Sequence, residues 1–183
     1  MPAYAQDTEP AAPERLTWEE ISWENTPSDL SGYPFEARIK ACVEDHHADE
    51  AYALATHCRA IPYEYLPEYT GMYDLDFPEW FGAQIQQSYV ISFWRRIIDE
   101  SNGSMTDFLI LKYDRPEADS RATALKDATA LFDEWVNVKC GLEQGVFNAV
   151  ASNWRFVYHL NCSEEEISIR ALELMKMRRI YVP

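Results

Sequence analysis

Apolar positions recur every three or four residues along most of the chain, the pattern of helices that bury one stripe. Six such stripes run over residues 35–43, 51–61, 85–98, 122–136, 142–157 and 167–175. The first opens behind Pro34, a residue suited to a first helical turn, and keeps Phe35, Ile39, Cys42 and Val43 in step to about Asp45. After the run EDHHADE, Ala51, Leu54, Ala55, Cys58 and Ile61 carry a second helix until Pro62 stops it. These two read as a helical hairpin.

Further on, Ile85, Tyr89, Phe93, Ile97 and Ile98 mark a long helix from about Pro78, with Asn102-Gly103 as its stop. Ala122, Leu125, Ala128, Phe132, Trp135 and Val136 mark another, ending before Gly141. Leu142, Val146, Phe147, Val150, Trp154 and Val157 continue the pattern. Ser163-x-x-Glu166 is a capping box that opens a last helix with Ile167, Ala171, Leu174 and Met175. Thr17-x-x-Glu20 is the same device for a short helix carrying Trp18 and Ile21.

The expected fold is mainly α, a single-domain helical bundle-like fold of five to seven helices with a long irregular aromatic-acidic loop. Two pieces leave an alternative open, α+β with a small sheet from 108–113 and 154–160. In the first, FLILKY, Ser104-x-x-Asp107 leans helical; the second alternates apolar and polar residues. Residues 1–14 hold three prolines and no periodicity, so they read as a flexible arm before one globular domain over 15–183.

Residues 62–81, PYEYLPEYTGMYDLDFPEWF, fit neither period. Pro62, Pro67, Gly71 and Pro78 break every candidate helix, while seven aromatics argue against disorder. No Lys, Arg or His occurs in the 35 residues between Arg59 and Arg95, yet this window holds five acids. Carboxylates steer a basic partner, and Tyr and Trp anchor interfaces. The candidate partner-binding residues are therefore Glu64, Tyr65, Glu68, Tyr69, Asp74, Asp76, Glu79 and Trp80.

Composition narrows the classes. With 47% hydrophobic residues the chain has enough apolar surface to fold. Thirty-one acids against sixteen bases give a net charge of −15, and residues 1–50 alone carry −9 (twelve acids, three bases). Such a surface repels nucleic-acid phosphates and anionic membranes. No apolar run approaches the ~20 residues of a membrane span. The four cysteines, Cys42, Cys58, Cys140 and Cys162, form no C-x-x-C pair and are few for a disulfide framework. Reduced thiols and a cytoplasmic location follow as the expectation.

Catalytic motifs are sparse. The chain contains no phosphate loop, dinucleotide fingerprint, nucleophile elbow or H-E-x-x-H. Its densest chemistry runs from Cys42 through His46 and His47 to His57 and Cys58, where a hairpin could assemble four zinc ligands. Cys42 and Cys58 each fit an apolar stripe, where cysteine acts as a small hydrophobe, so no metal and no cofactor is expected. Glu44-x-x-His47 lacks the second such motif that a diiron bundle needs.

The functional expectation is a non-enzymatic acidic binding protein docking on a basic protein surface. Its specific form is a nucleic-acid-mimicking inhibitor of a nucleic-acid-handling machine, of the kind a phage or plasmid encodes. The alternatives are an assembly subunit of a larger complex, or a metal-dependent enzyme using the His46–Cys58 region.

Overall fold

The computed structural model describes residues 12–68, 79–146 and 154–181. Among them the chain forms five α-helices and no strand: α1 (Glu36–Asp45), α2 (Ala51–Cys58), α3 (Glu79–Lys112), α4 (Arg115–Val146) and α5 (Trp154–Tyr181). The mainly α, bundle-like fold read from the periodicity is the fold the chain adopts.

The last three helices are 34, 32 and 28 residues long and form the bundle. A connection of only Tyr113 and Asp114 turns α3 back into α4. The two run antiparallel, with Asn102 Nδ2 donating to Thr129 Oγ1 at 3.0 Å and Arg95 meeting Asp133 at 2.9 Å. α4 is antiparallel to α5 as well, through the Lys139–Glu166 pair and the Cys140–Cys162 bond.

α5 is the central helix and packs against each of the other four. Cys162, Ser163, Glu164, Ile167, Ser168, Ala171, Leu172 and Leu174 are all buried, which covers most of its circumference rather than one stripe. Opposite it, α3 contributes Ile85, Tyr89, Val90, Phe93, Trp94 and Ile97. Phe35 closes this core with an edge-to-face contact on Phe93, centroids 4.7 Å apart at 79°. Tyr33 stands beside it at 5.1 Å from Phe93 and bonds Ser92 Oγ through its hydroxyl at 2.8 Å.

The α1–α2 hairpin packs on α5 from outside. Three 3-10 turns, Trp23–Asn25, Leu30–Gly32 and Ile61–Tyr65, lead the connecting segments over the bundle. Gly32 is required by proximity: a Cβ there would stand 2.6 Å from Pro27 Cβ. The Thr17–Glu20 box forms, with Thr17 N donating to Glu20 Oε2 at 2.7 Å and Glu20 N to Thr17 Oγ1 at 3.3 Å. It caps a turn rather than a helix, and the turn buries Ile21. Of the expected flexible arm over 1–14, residues 1–11 lie outside the described residues.

Four boundary expectations are corrected. α3 runs straight through Asn102-Gly103 to Lys112, so 108–113 is its last turns and no strand. α4 likewise passes Gly141. Neither glycine has positive φ, and packing of Ser101 and Met105 on neighbouring helices outweighs a propensity deficit of about 1 kcal/mol. Ser163 caps nothing; it lies inside α5, which begins at Trp154 and makes 154–160 helical. The helix expected over 142–157 is divided between the end of α4 and the start of α5, with 147–153 outside the described residues.

The cysteines are also corrected. They are not reduced thiols: Cys42 is bonded to Cys58 and Cys140 to Cys162, with Cα atoms 5.8 Å and 5.6 Å apart. Each does lie on an apolar stripe, but the stripes of α1 and α2, and of α4 and α5, face each other at bonding distance. The pairing removes the ground on which a cytoplasmic location was expected. Among the described residues no helix is long and apolar enough to cross a membrane.

Helix continuity at Gly103 has a direct test. A Cβ there meets nothing within 4 Å. Gly103→Ala is expected to raise stability by about 0.5–1 kcal/mol, read as a higher urea midpoint at unchanged m-value. If Gly103 ended a helix in the left-handed conformation, the same change would lower it.

Candidate functional site

The residues of 62–81 are dispersed by the fold. Tyr65 is a core residue, 9% exposed and tilted against Phe35 at 5.8 Å. Glu64 and Glu68 are exposed but paired, Glu64 with Arg38 at 2.5 Å and Glu68 with Arg15 at 2.9 Å. Both cations come from earlier in the chain, so a base-free window in sequence is not a base-free surface. The segment is also laced to residues 15 and 16, with Leu16 N donating to Tyr65 O at 2.7 Å and Arg15 to Leu66 O at 3.2 Å. Tyr69, Asp74 and Asp76 lie outside the described residues.

Exposed Glu79 and half-buried Trp80 open α3. There a small aromatic group forms: Trp80 meets Phe81 at 5.7 Å, and Phe81 meets Trp23 at 6.1 Å, both edge-on. Trp23 remains 57% exposed. Exposed Glu24 follows it directly, and exposed Glu79 precedes Trp80. The sequence singled out Trp80 but missed Trp23, which lies 57 positions away and joins it only through the fold of the 3-10 turn onto α3.

A second apolar surface lies on α4. Leu131, Trp135, Val138 and Leu142 are 65%, 48%, 58% and 69% exposed and spaced four, three and four apart. At 100° per residue they form a stripe opposite Val136 and Cys140, which face the core. α4 is therefore apolar on two sides, and the signal was present in the sequence as a stripe too wide for one interface.

The polar centre of the molecule is a charge cluster on α5. Glu164 is completely buried; Arg59 Nε donates to it at 2.7 Å and Trp94 Nε1 at 3.1 Å. Glu165 meets the same guanidinium at 3.3 Å, and Glu166 meets Lys139. Burial pushes the Glu164 carboxyl above the usual carboxylate range, and Arg59 opposes that only in part. Burial, reinforced by the Glu164 charge, also raises the Tyr63 hydroxyl. A groove of about 300 Å³ opens above this cluster between Tyr52, Tyr63, Arg59 and Ile169. Its one cation is already matched by two carboxylates, so the groove offers apolar walls rather than an anion site.

The α1–α2 turn gathers titratable groups. The four-ligand set of Cys42, His46, His57 and Cys58 is closed, because both sulfurs are spent on each other. His46, Asp49 and His57 instead converge, with donor atoms within 4.8 Å of one another. His46 Nδ1 is 3.1 Å and His57 Nε2 3.8 Å from the same oxygen, Asp49 Oδ2. The two imidazoles stack at 4.0 Å and 7°. His47 turns away and bonds the Glu44 carbonyl through Nδ1 at 2.8 Å.

No family model, no curated protein and no solved structure matches this chain.

The buried pair generates a pH prediction. Arg59→Met leaves Glu164 buried without its cation and is expected to cost about 3 kcal/mol at neutral pH. A carboxyl whose folded pKa is raised gives stability that is full below the unfolded value and lost as pH rises through the folded value. The deficit of the variant should therefore shrink as pH falls toward 4.5, the ordinary value for Glu. Urea denaturation of both proteins from pH 4 to 8 checks this; a deficit independent of pH would assign the loss to packing of the arginine stem.

Proposed function

We propose that this chain is a non-catalytic binding protein that docks on a basic protein surface. The observation that carries the reading is exposed Trp23, joined to half-buried Phe81 and Trp80 and set among the exposed carboxylates Glu24 and Glu79. Exposed tryptophan gives large contact area at small entropy cost, and carboxylates at the rim favour encounter with cations. The net charge of −15 extends that attraction over the whole molecule.

The two disulfides support an oxidising compartment as the place of work. The basic partner is then one met outside the reducing cytosol, which gives an inhibitor or scavenger of a basic protein more support than a mimic of nucleic acid.

Expected behaviour is specific. Trp23→Ala and Trp80→Ala should each weaken binding of the partner by about 2 kcal/mol, roughly thirtyfold. Raising salt to physiological strength, where the Debye length is ~8 Å, should slow association. Immobilised wild type and the double variant, presented to the extracytosolic fraction of the source cells, provide the comparison. Equal recovery of the same basic proteins on both would refute the reading.

The stripe on α4 favours a second reading, a subunit of a larger assembly, because four exposed large apolar side chains in heptad spacing suit a helical partner. Under that reading light scattering shows a mass that rises with concentration, and Leu131→Glu with Val138→Glu returns it to the monomer. A wild-type mass fixed at one chain over the same range excludes self-assembly.

A further inference from the structure

We infer that His46, Asp49 and His57 form a binding site for a divalent transition-metal ion of the zinc class. Two imidazoles and one carboxylate are the donor set that such ions select, whereas Mg²⁺ and Ca²⁺ prefer oxygen alone. Three protein ligands leave a fourth position open to water or to a group on a partner.

The donor atoms are gathered before any ion arrives. Ligands at 2.0–2.1 Å in a tetrahedron stand about 3.4 Å from one another. The two observed nitrogen-to-oxygen separations, 3.1 Å and 3.8 Å, lie on either side of that value. Closing on an ion asks His57 Nε2 to approach Asp49 by about half an ångström and its ring to tilt out of the stack with His46, because parallel imidazoles cannot both aim an in-plane lone pair at one ion. Both rings already bring one nitrogen within 4 Å of the same Asp49 oxygen, and the half-exposed His57 has room to tilt toward the ion.

The site is also braced. His46 follows Cys42 by one helical turn, and His57 adjoins Cys58, so the Cys42–Cys58 bond fixes the separation of the two helices that present the rings. Asp49 is held through its backbone: Asp49 N donates to His46 O at 3.0 Å, and Lys176 Nζ donates to Asp49 O at 2.6 Å. Arg179 ties Glu44 to α5 at 2.8 Å. The cations are thus engaged with a carbonyl and a more distant carboxylate, leaving the Asp49 side chain to the histidines. With side chains 35%, 36% and 49% exposed, the ion can enter without unfolding.

Calorimetric titration of metal-stripped, oxidised protein with Zn²⁺ alone tests the site. The expected result is one ion per chain, not displaced by excess Mg²⁺. His46→Ala and His57→Ala should each weaken binding more than about tenfold, the scale of losing even an outer partner of a metal ligand. Asp49→Asn, which preserves shape, should weaken it too. His47→Ala, one residue from the site and facing away, should bind as wild type. Circular dichroism establishes that each variant is folded, with His57→Gln substituted should His57→Ala unfold. Absence of saturable Zn²⁺ binding, or binding equal in the His57 variants and wild type, overturns the proposal and assigns any uptake to the acidic surface.

Discussion

Removing a carboxylate from water costs several kcal/mol unless a cation and hydrogen-bond donors await it, and Glu164 has no exposed surface at all. Its partners come from different elements. Arg59 follows the last residue of α2, and Trp94 lies in the middle of α3. One side chain on α5 therefore fixes the axial register of α2 and α3 at once, since sliding either helix by a turn would leave the charge orphaned. The surrounding apolar contacts supply most of the burial, but many offsets of helix against helix could satisfy them. The buried pair admits one.

The disulfides repeat this logic at the periphery. Each closes a loop of 16 or 22 residues and is worth about 3 kcal/mol on the chain-entropy account. Together they staple α1 to α2 and α4 to α5. Folding of this sequence is thus coupled to oxidation of its four cysteines.

Much of the fold was legible because stripes such as Ile85, Tyr89, Phe93 and Ile97 repeat with the helical period and all prove buried. Helix ends were less so. Gly103, Gly141 and Ser163 carry strong local signals for stopping or starting, and each lies inside a helix because tertiary packing exceeds a local preference of about 1 kcal/mol. The site was harder still. Glu64 and Glu68 looked unpaired because Arg38 and Arg15 are remote in sequence. His46 and His57 were noticed together, but as partners of two cysteines that bind each other, while Asp49 was hidden in a run of acids. Distance along the chain conceals pairing, and a residue type that serves two chemistries conceals which one it serves.

Continuity of α3 has a mechanical consequence. An unbroken helix is stiff, and at 1.5 Å per residue the stretch from Trp80 to Leu111 spans about 46 Å. The aromatic group sits at one end of this rod; Ile110 and Leu111, 55% and 87% exposed, sit at the other. Because α4 and α5 run alongside, the rod cannot fold at Asn102-Gly103 to bring its ends together. Any two molecules engaged at those ends would be kept at a set separation, so the protein has the form of a spacer whose length is written in an uninterrupted count of residues.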